Sequence, residues 1–223
     1  THIAFLAGMN AEERAREDRG EQEQPPADKF EAKQRKERKE HDEQQRWDPR
    51  PVWRIPYREG TAFRDDRYAQ VYVMPVAEGL EGDEAKPRRL TDIDANHTPP
   101  EWTPDGKYIL TSRAVDPTRD EPFRWHSLFR INVKDGTAEQ LTDETHTDMM
   151  PLPSPDGKWI AYVRTPFKRM TDSHTRLAVI PARGGRPRDL TLKFDREPTA
   201  FVWAPDSKSI LFAAGDHGDL EIY

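Results

Sequence analysis

Apolar residues in this chain gather in short runs such as "VYVM" (71–74), "YIL" (108–110), "WIAYV" (159–163) and "LAVI" (177–180), each bounded by turn-forming residues. Runs this short and nearly continuous predict strands buried on both faces rather than amphipathic helices. The runs recur on a clock. Asp105, Asp156 and Asp206 sit in the turns "TPDGK", "SPDGK" and "APDSK", 51 and then 50 residues apart. Leu90, Leu141 and Leu190 open the markers "LTD", "LTD" and "LT", spaced 51 and 49. A third element, "AQVYVMPV" from 69, "HSLFRINV" from 126 and "TRLAVIPA" from 175, precedes each marker. In the second and third copies it runs into the turns "KDGT" (134–137) and "ARGGR" (182–186), where glycine supplies the positive φ of a tight hairpin.

One unit, taken over 91–141, reads as "TPPEW", a turn at "PDGK", "YILTSR", a variable loop, "HSLFRINV" and a closing "AEQLT". Pro104 presets φ for the second position of a type I turn, with Asp105 and Gly106 completing it, and Asp156 with Gly157 repeats the arrangement. Asp206 marks the third copy, where Ser207 stands in place of the turn glycine. Four short antiparallel strands in about fifty residues, repeated in tandem, predict the blades of an all-β propeller. A β-sandwich of hairpins gives no reason for three separate markers to share one period.

The strand-turn-strand "W-[ST]-P-D-G-K" with "LTD" at the unit boundary resembles the blade shared by TolB-type propellers and the prolyl oligopeptidase family of serine peptidases. The stretch "RIPYREGTAFRDDRYAQVYVMPV" (54–76) followed by "PRRLTD" is similar to the propellers of acylaminoacyl-peptidase and dipeptidyl-peptidase-like members, and blade geometry alone does not require it. That resemblance implies an α/β-hydrolase domain C-terminal to the propeller in the same parent chain, a peptide substrate, and a propeller that admits small or unfolded peptides while excluding folded proteins.

The organisation expected is a propeller fragment of about four blades over 1–223. An incomplete first blade covers 1–90, with a charged insertion at 11–46. Full blades follow at 91–141 and 142–191, and an incomplete fourth at 192–223. "THIAFLAG" aligns with "KWIAYVRT", so the chain is expected to start and end inside a blade, with the natural N-terminus missing. In the insertion, Asp28 and Glu31 stand at capping-box spacing before a run of strong helix formers, which predicts a solvated helix from about 29 to 46. It has no apolar stripe.

With 34% apolar and 34% charged residues the 223-residue chain is poor in core material, and part of that polarity is local to the insertion. The absence of cysteine removes disulfides and thiolate zinc sites. A net charge of −6 argues against a general nucleic-acid binder, and no apolar run reaches membrane-spanning length. A cytoplasmic location without nucleic-acid or membrane partners is the expectation, with homo-oligomerisation left open.

Catalytic chemistry is sparse. None of the six serines, Ser112, Ser127, Ser154, Ser173, Ser207 and Ser209, has the glycines of a nucleophile elbow around it. Asp172, Ser173 and His174 are adjacent in sequence, a poor geometry for a triad whose side chains must converge. No cofactor or metal motif is found, and no catalytic residue is assigned. The remaining candidates are Asp94, His97, His146 and Asp148. The two histidines lie 49 apart, ahead of the innermost strand of successive units, where all four can line a polar channel. Read more plainly, they cap loops by bonding to backbone at the blade edge. A second reading of the whole is a non-enzymatic TolB-type platform, since fold alone does not distinguish the two.

Overall fold

In the turn at Thr103, the Gly106 amide donates to the Thr103 carbonyl at 2.9 Å, and the Thr103 hydroxyl donates to Asp105 at 2.7 Å while accepting from the Tyr108 amide at 3.1 Å. Ser154 repeats the pattern with Asp156 at 2.7 Å and the Trp159 amide at 3.0 Å. These hydroxyl bonds hold the Asp105 and Asp156 carboxyls below their usual range. Gly106 and Gly157 take φ of 68° and 70°, and Ser207 is forced to 60° at the same place, which costs a residue with a Cβ about 1 kcal/mol. The third turn also lacks the hydroxyl, because Ala204 stands where Thr103 and Ser154 do.

The computed structural model describes residues 2–21, 26–46, 58–59, 62–63, 67–76, 86–116, 125–166 and 174–223. The turns join antiparallel strands into four sheets. The first holds β1 (His2–Met9), β4 (Tyr68–Pro75) and β5 (Arg88–Arg89). The second holds β6 (Glu101–Trp102), β7 (Tyr108–Ala114), β8 (His126–Asn132) and β9 (Ala138–Gln140). The third holds β10 (His146–Pro153), β11 (Trp159–Pro166), β12 (Arg176–Pro181) and β13 (Arg188–Asp189). The fourth holds β14 (Pro198–Trp203), β15 (Ile210–Asp216) and β16 (Asp219–Ile222). Each sheet runs in sequence order, as in a propeller blade. The strand β6 is short because Pro99 and Pro100 offer no amide hydrogens to a ladder. In β10 the register shifts between Met149 and Leu152, and Met150 adopts φ 57°.

The "LT" marker has a physical basis. Leu90, Leu141 and Leu190 each donate an amide at 2.8 Å to the carbonyl of Val71, Leu128 and Leu177. The next threonine accepts the amide of that same residue on its hydroxyl, at 2.9 Å for Thr91, 3.0 Å for Thr142 and 2.9 Å for Thr191. The hydroxyl thus completes the outer-strand ladder where the backbone turns away.

Period-two alternation gives the second blade two buried faces. Ile109 and Ile131 pack with Val71, Val73 and Leu90 of the first blade, whereas Leu110 and Leu128 pack with Ile160, Tyr162, Ala178 and Ile180 of the third. Each such aliphatic side chain contributes about 2 kcal/mol through burial. Polar links cross the seams as well: Arg130 donates to the Ala182 carbonyl at 2.8 Å and the Trp203 indole to the Leu152 carbonyl at 3.0 Å.

The sheets form one unit, Thr1–Met9 with Arg67–Tyr223, and Asn10–Asp66 forms a second. In the second, α1 (Ala11–Asp18) starts in a capping box in which the Asn10 side chain accepts from the Glu13 amide at 2.9 Å and Glu13 accepts from the Asn10 amide at 3.0 Å. The helix α2 (Lys29–Arg46) matches the expected span. Asp28 accepts the Glu31 amide at 2.8 Å, but Glu31 reaches the Ala27 amide, one residue before the cap. Ion pairs four residues apart, Glu31 with Arg35, Lys33 with Glu37 and Lys36 with Glu40, run along it. Two short strands, β2 (Arg58–Glu59) and β3 (Ala62–Phe63), pair antiparallel. The expectations resting on 54–57, 60–61, 64–66, Asp172 and Ser173 lie outside the described residues.

Candidate functional site

Two of the blades carry a polar plug, built by a residue just ahead of or within the first strand and one near the end of the second. In the second blade His97 pairs through backbone with Arg113. In the third, Asp148 stands opposite Arg164. In the fourth, Pro198 faces Ala214, so the polar pair is gone. Arg113 and Arg164 are 51 apart, the interval of Asp105 and Asp156, and so are His97 and Asp148. The register therefore corrects the alignment read from sequence: the counterpart of His97 is Asp148, and His146 lies two residues out of step, opposite Pro166.

His97 is buried, and its Nδ1 lies 2.8 Å from the Ala69 carbonyl of the first blade. Burial lowers its pKa from 6.5 to about 4, and the neighbouring Arg113 and His126 charges push the same way. The ring is therefore neutral at pH 7. It links two blades and reaches backbone, the simpler of the two roles read from sequence.

Asp148 is fully buried and accepts a bidentate pair from Arg164, Nε at 2.9 Å and Nη2 at 3.0 Å. Burial pushes the Asp148 carboxyl up, and the bonds from Arg164 oppose that shift. Asp189 extends the network, 4.0 Å from Arg164 and 3.1 Å from Arg176. His146 is only partly buried, with Nδ1 2.7 Å from the Thr145 hydroxyl, and burial with Arg164 lowers its pKa. Asp94 is exposed between the first marker and His97. The four candidates are thus divided: His97 links the second blade to the first, Asp148 lies within the third with His146 two residues before it, and Asp94 lies on the surface.

Arg113 and Arg164 are the residues that sequence reading passed over. Their signal was present as an arginine closing the strands "YILTSR" and "WIAYVR" at the same repeat position. Arg113 lies with its guanidinium carbon 3.8 Å above the Phe129 ring and donates Nη1 to the Ala114 carbonyl at 2.8 Å. Among the described residues no cluster of three or more acidic or imidazole groups suits a metal ion.

No family model matches the chain. It is 28% identical over 172 residues to the uncharacterised peptidase YuxL of Bacillus subtilis, covering 76% of this chain and 21% of that protein. It is 24% identical over 152 residues to an uncharacterised protein of Agrobacterium fabrum, covering 66% of this chain and 47% of the other. The chain thus spans about half the length of one curated relative and a fifth of the other. Among solved structures it is similar to the acylaminoacyl peptidase of Pyrococcus horikoshii, with TM-score 0.54 and 18% identity over 78% of this chain and 25% of that one. It is also similar to a TolB protein of Agrobacterium tumefaciens, with TM-score 0.51 and 17% identity over 70% of this chain and 52% of that one. The repeated blade, its marker bonds and its seams identify the chain as an all-β run of propeller blades, similar in fold to those of TolB and of acylaminoacyl peptidase.

Proposed function

We propose that this chain is the substrate-selecting propeller part of a serine peptidase that cleaves oligopeptides or removes acylated or free N-terminal residues. The observation that carries the reading is the relation to YuxL: the match covers most of this chain yet only 21% of that peptidase. An α/β-hydrolase domain of the same parent chain, outside these 223 residues, supplies the nucleophile, and none of this chain's side chains performs the bond cleavage. The blades act by exclusion and positioning. Seams packed with aliphatic side chains and tied by buried hydrogen bonds resist widening, so an entrance framed by them filters by size and orients what passes. The proposed setting is cytoplasmic, with peptides as the substrate and no nucleic-acid or membrane partner.

The test uses the full-length parent. Covalent labelling by a fluorophosphonate, together with hydrolysis of acyl-aminoacyl or aminoacyl anilides, is the expected result. A parent that takes no label and cleaves none of these overturns the peptidase reading in favour of an interaction platform, which the similarity to TolB supports.

A further inference from the structure

We propose that Arg113, opposite His97 in the second blade, binds a carboxylate carried by a peptide, through the donor edge that its counterpart Arg164 presents to Asp148. The next repeat displays the complex. There a carboxylate lies in the plane of the guanidinium with both oxygens bonded, at 2.9 and 3.0 Å, and the pair is sealed inside the blade. In the second blade the backbone positions are the same, but among the described residues no anion faces the arginine. His97 takes the place of the aspartate, and its Nδ1 is already committed to the Ala69 carbonyl.

What holds Arg113 among the described residues brings no negative charge to it. The Phe129 ring supports the flat face of the guanidinium and one Nη bonds a carbonyl, and neither brings a negative charge. Among the described residues Arg113 has no carboxylate partner. The side chain remains partly open to solvent, unlike Arg164, which is buried. Stacking on a ring occupies the face of an arginine and leaves its donor edge free for planar, bidentate recognition. Burial lowers the Arg113 pKa, so an anion arriving there relieves an unfavourable environment rather than competing with an existing partner. A single fork suits a monoanionic carboxylate; a phosphate dianion would stay half neutralised. That the carboxylate belongs to a peptide rests on the function proposed above.

Isothermal titration of the 223-residue chain with N-acetyl-dialanine, its C-terminal amide, and acetate tests the proposal. Saturable millimolar binding of the free acid is expected, with the amide weaker by about ten- to a hundredfold, the range of one charge-assisted pair. Arg113→Met should abolish the difference. His97→Asp should also abolish it, by supplying the internal carboxylate that Asp148 supplies one repeat later, while raising the melting temperature or leaving it unchanged. This second variant keeps the test decisive if Arg113→Met impairs folding. Equal binding of acid and amide, no saturable binding of the acid, or unaltered binding in folded His97→Asp overturns the proposal. Acetate binding as tightly as the peptide overturns its peptide half. None of these readouts depends on hydrolysis, so loss of the peptidase reading in the parent is a separate result.

Discussion

Asp148 and Arg164 form a closed bidentate pair across the first two strands of the third blade, with side chains exposed by only 0% and 8%. Removing one member leaves the other charged and buried. Asp148→Ala should therefore lower unfolding stability by about 3–5 kcal/mol, whereas Asp148→Leu combined with Arg164→Met should stay within about 1 kcal/mol of the parent sequence. Urea denaturation of the three proteins checks this. A double variant as unstable as the single one would show that the pair is held by contacts other than its own charges.

His97 gives the first seam a defined pH response. Its folded pKa, about 4, lies below the ordinary 6.5, so the unfolded chain binds the proton more readily. Stability contributed by the neutral ring is complete above pH 6.5 and is lost as pH falls from there towards 4, to a limit on the order of 3 kcal/mol. The raised carboxyl of Asp148 acts in the opposite sense at low pH, so the quantity to measure is the difference between proteins. His97→Asn should flatten the stability profile between pH 6.5 and 4 relative to the unmodified chain. Parallel profiles would mean that the ring is protonated in the folded state as easily as in the unfolded one.

The turn chemistry predicts a pair of mirror-image substitutions. Ser154→Ala removes a hydroxyl that donates to Asp156 and accepts from the Trp159 amide, and should cost about 1 kcal/mol. Ala204→Ser restores the missing hydroxyl beside Asp206 and should recover a similar amount. Thermal denaturation reads both. A neutral Ala204→Ser would indicate that the positive φ of Ser207 holds the turn in a form the hydroxyl does not fit.

The fifty-residue period, the Pro-Asp-Gly turns and the Leu-Thr markers were legible because each meets a local backbone requirement that few residues satisfy: a positive φ, or an amide left over where a strand ends. They carried the sheet count of three, four, four and three strands. The polar plugs were not legible. His97 and His146 drew attention as like residues at nearly the right spacing, but pairing is decided by register counted from the turns, and a two-residue offset changes the partner while keeping the face. The helix α1 had a signal that was not used, Asn10 three residues before Glu13.

The charged segment should be dispensable to the blades. Its helix α2 is supported along its own length by ion pairs between exposed side chains, and Phe30 is 68% exposed. Replacing residues 11–46 with a flexible linker should shift the melting temperature of the chain by no more than about 3 °C, because a long surface loop costs little to shorten. A larger fall would reveal packing of this segment beyond Arg14, the one buried residue of α1.

The fourth sheet carries the last prediction. Leu110 and Leu128 are fully buried, and both pack in the seam with the third blade. By turn spacing and strand register, their counterparts are Ala161 and Leu177 in the third blade and Leu211 and Ile222 in the fourth. Ala161 and Leu177 are only 0% and 1% exposed, but Leu211 is 51% exposed and Ile222 77%. Val202, opposite Leu211, adds 54% exposure on the same face, and Leu220 adds 67%. A sheet face with the composition of an internal seam, open to water, drives association. The 223-residue chain in solution should therefore sediment as dimers or larger species at micromolar concentration, with the weight-average mass rising on concentration. Val202→Lys with Leu211→Lys should shift it towards monomer without altering the spectroscopic signature of the β-sheets, since both positions already face solvent. A monomer at all concentrations would mean that this face, despite its apolar side chains, buries too little area on pairing to offset the loss of translational freedom.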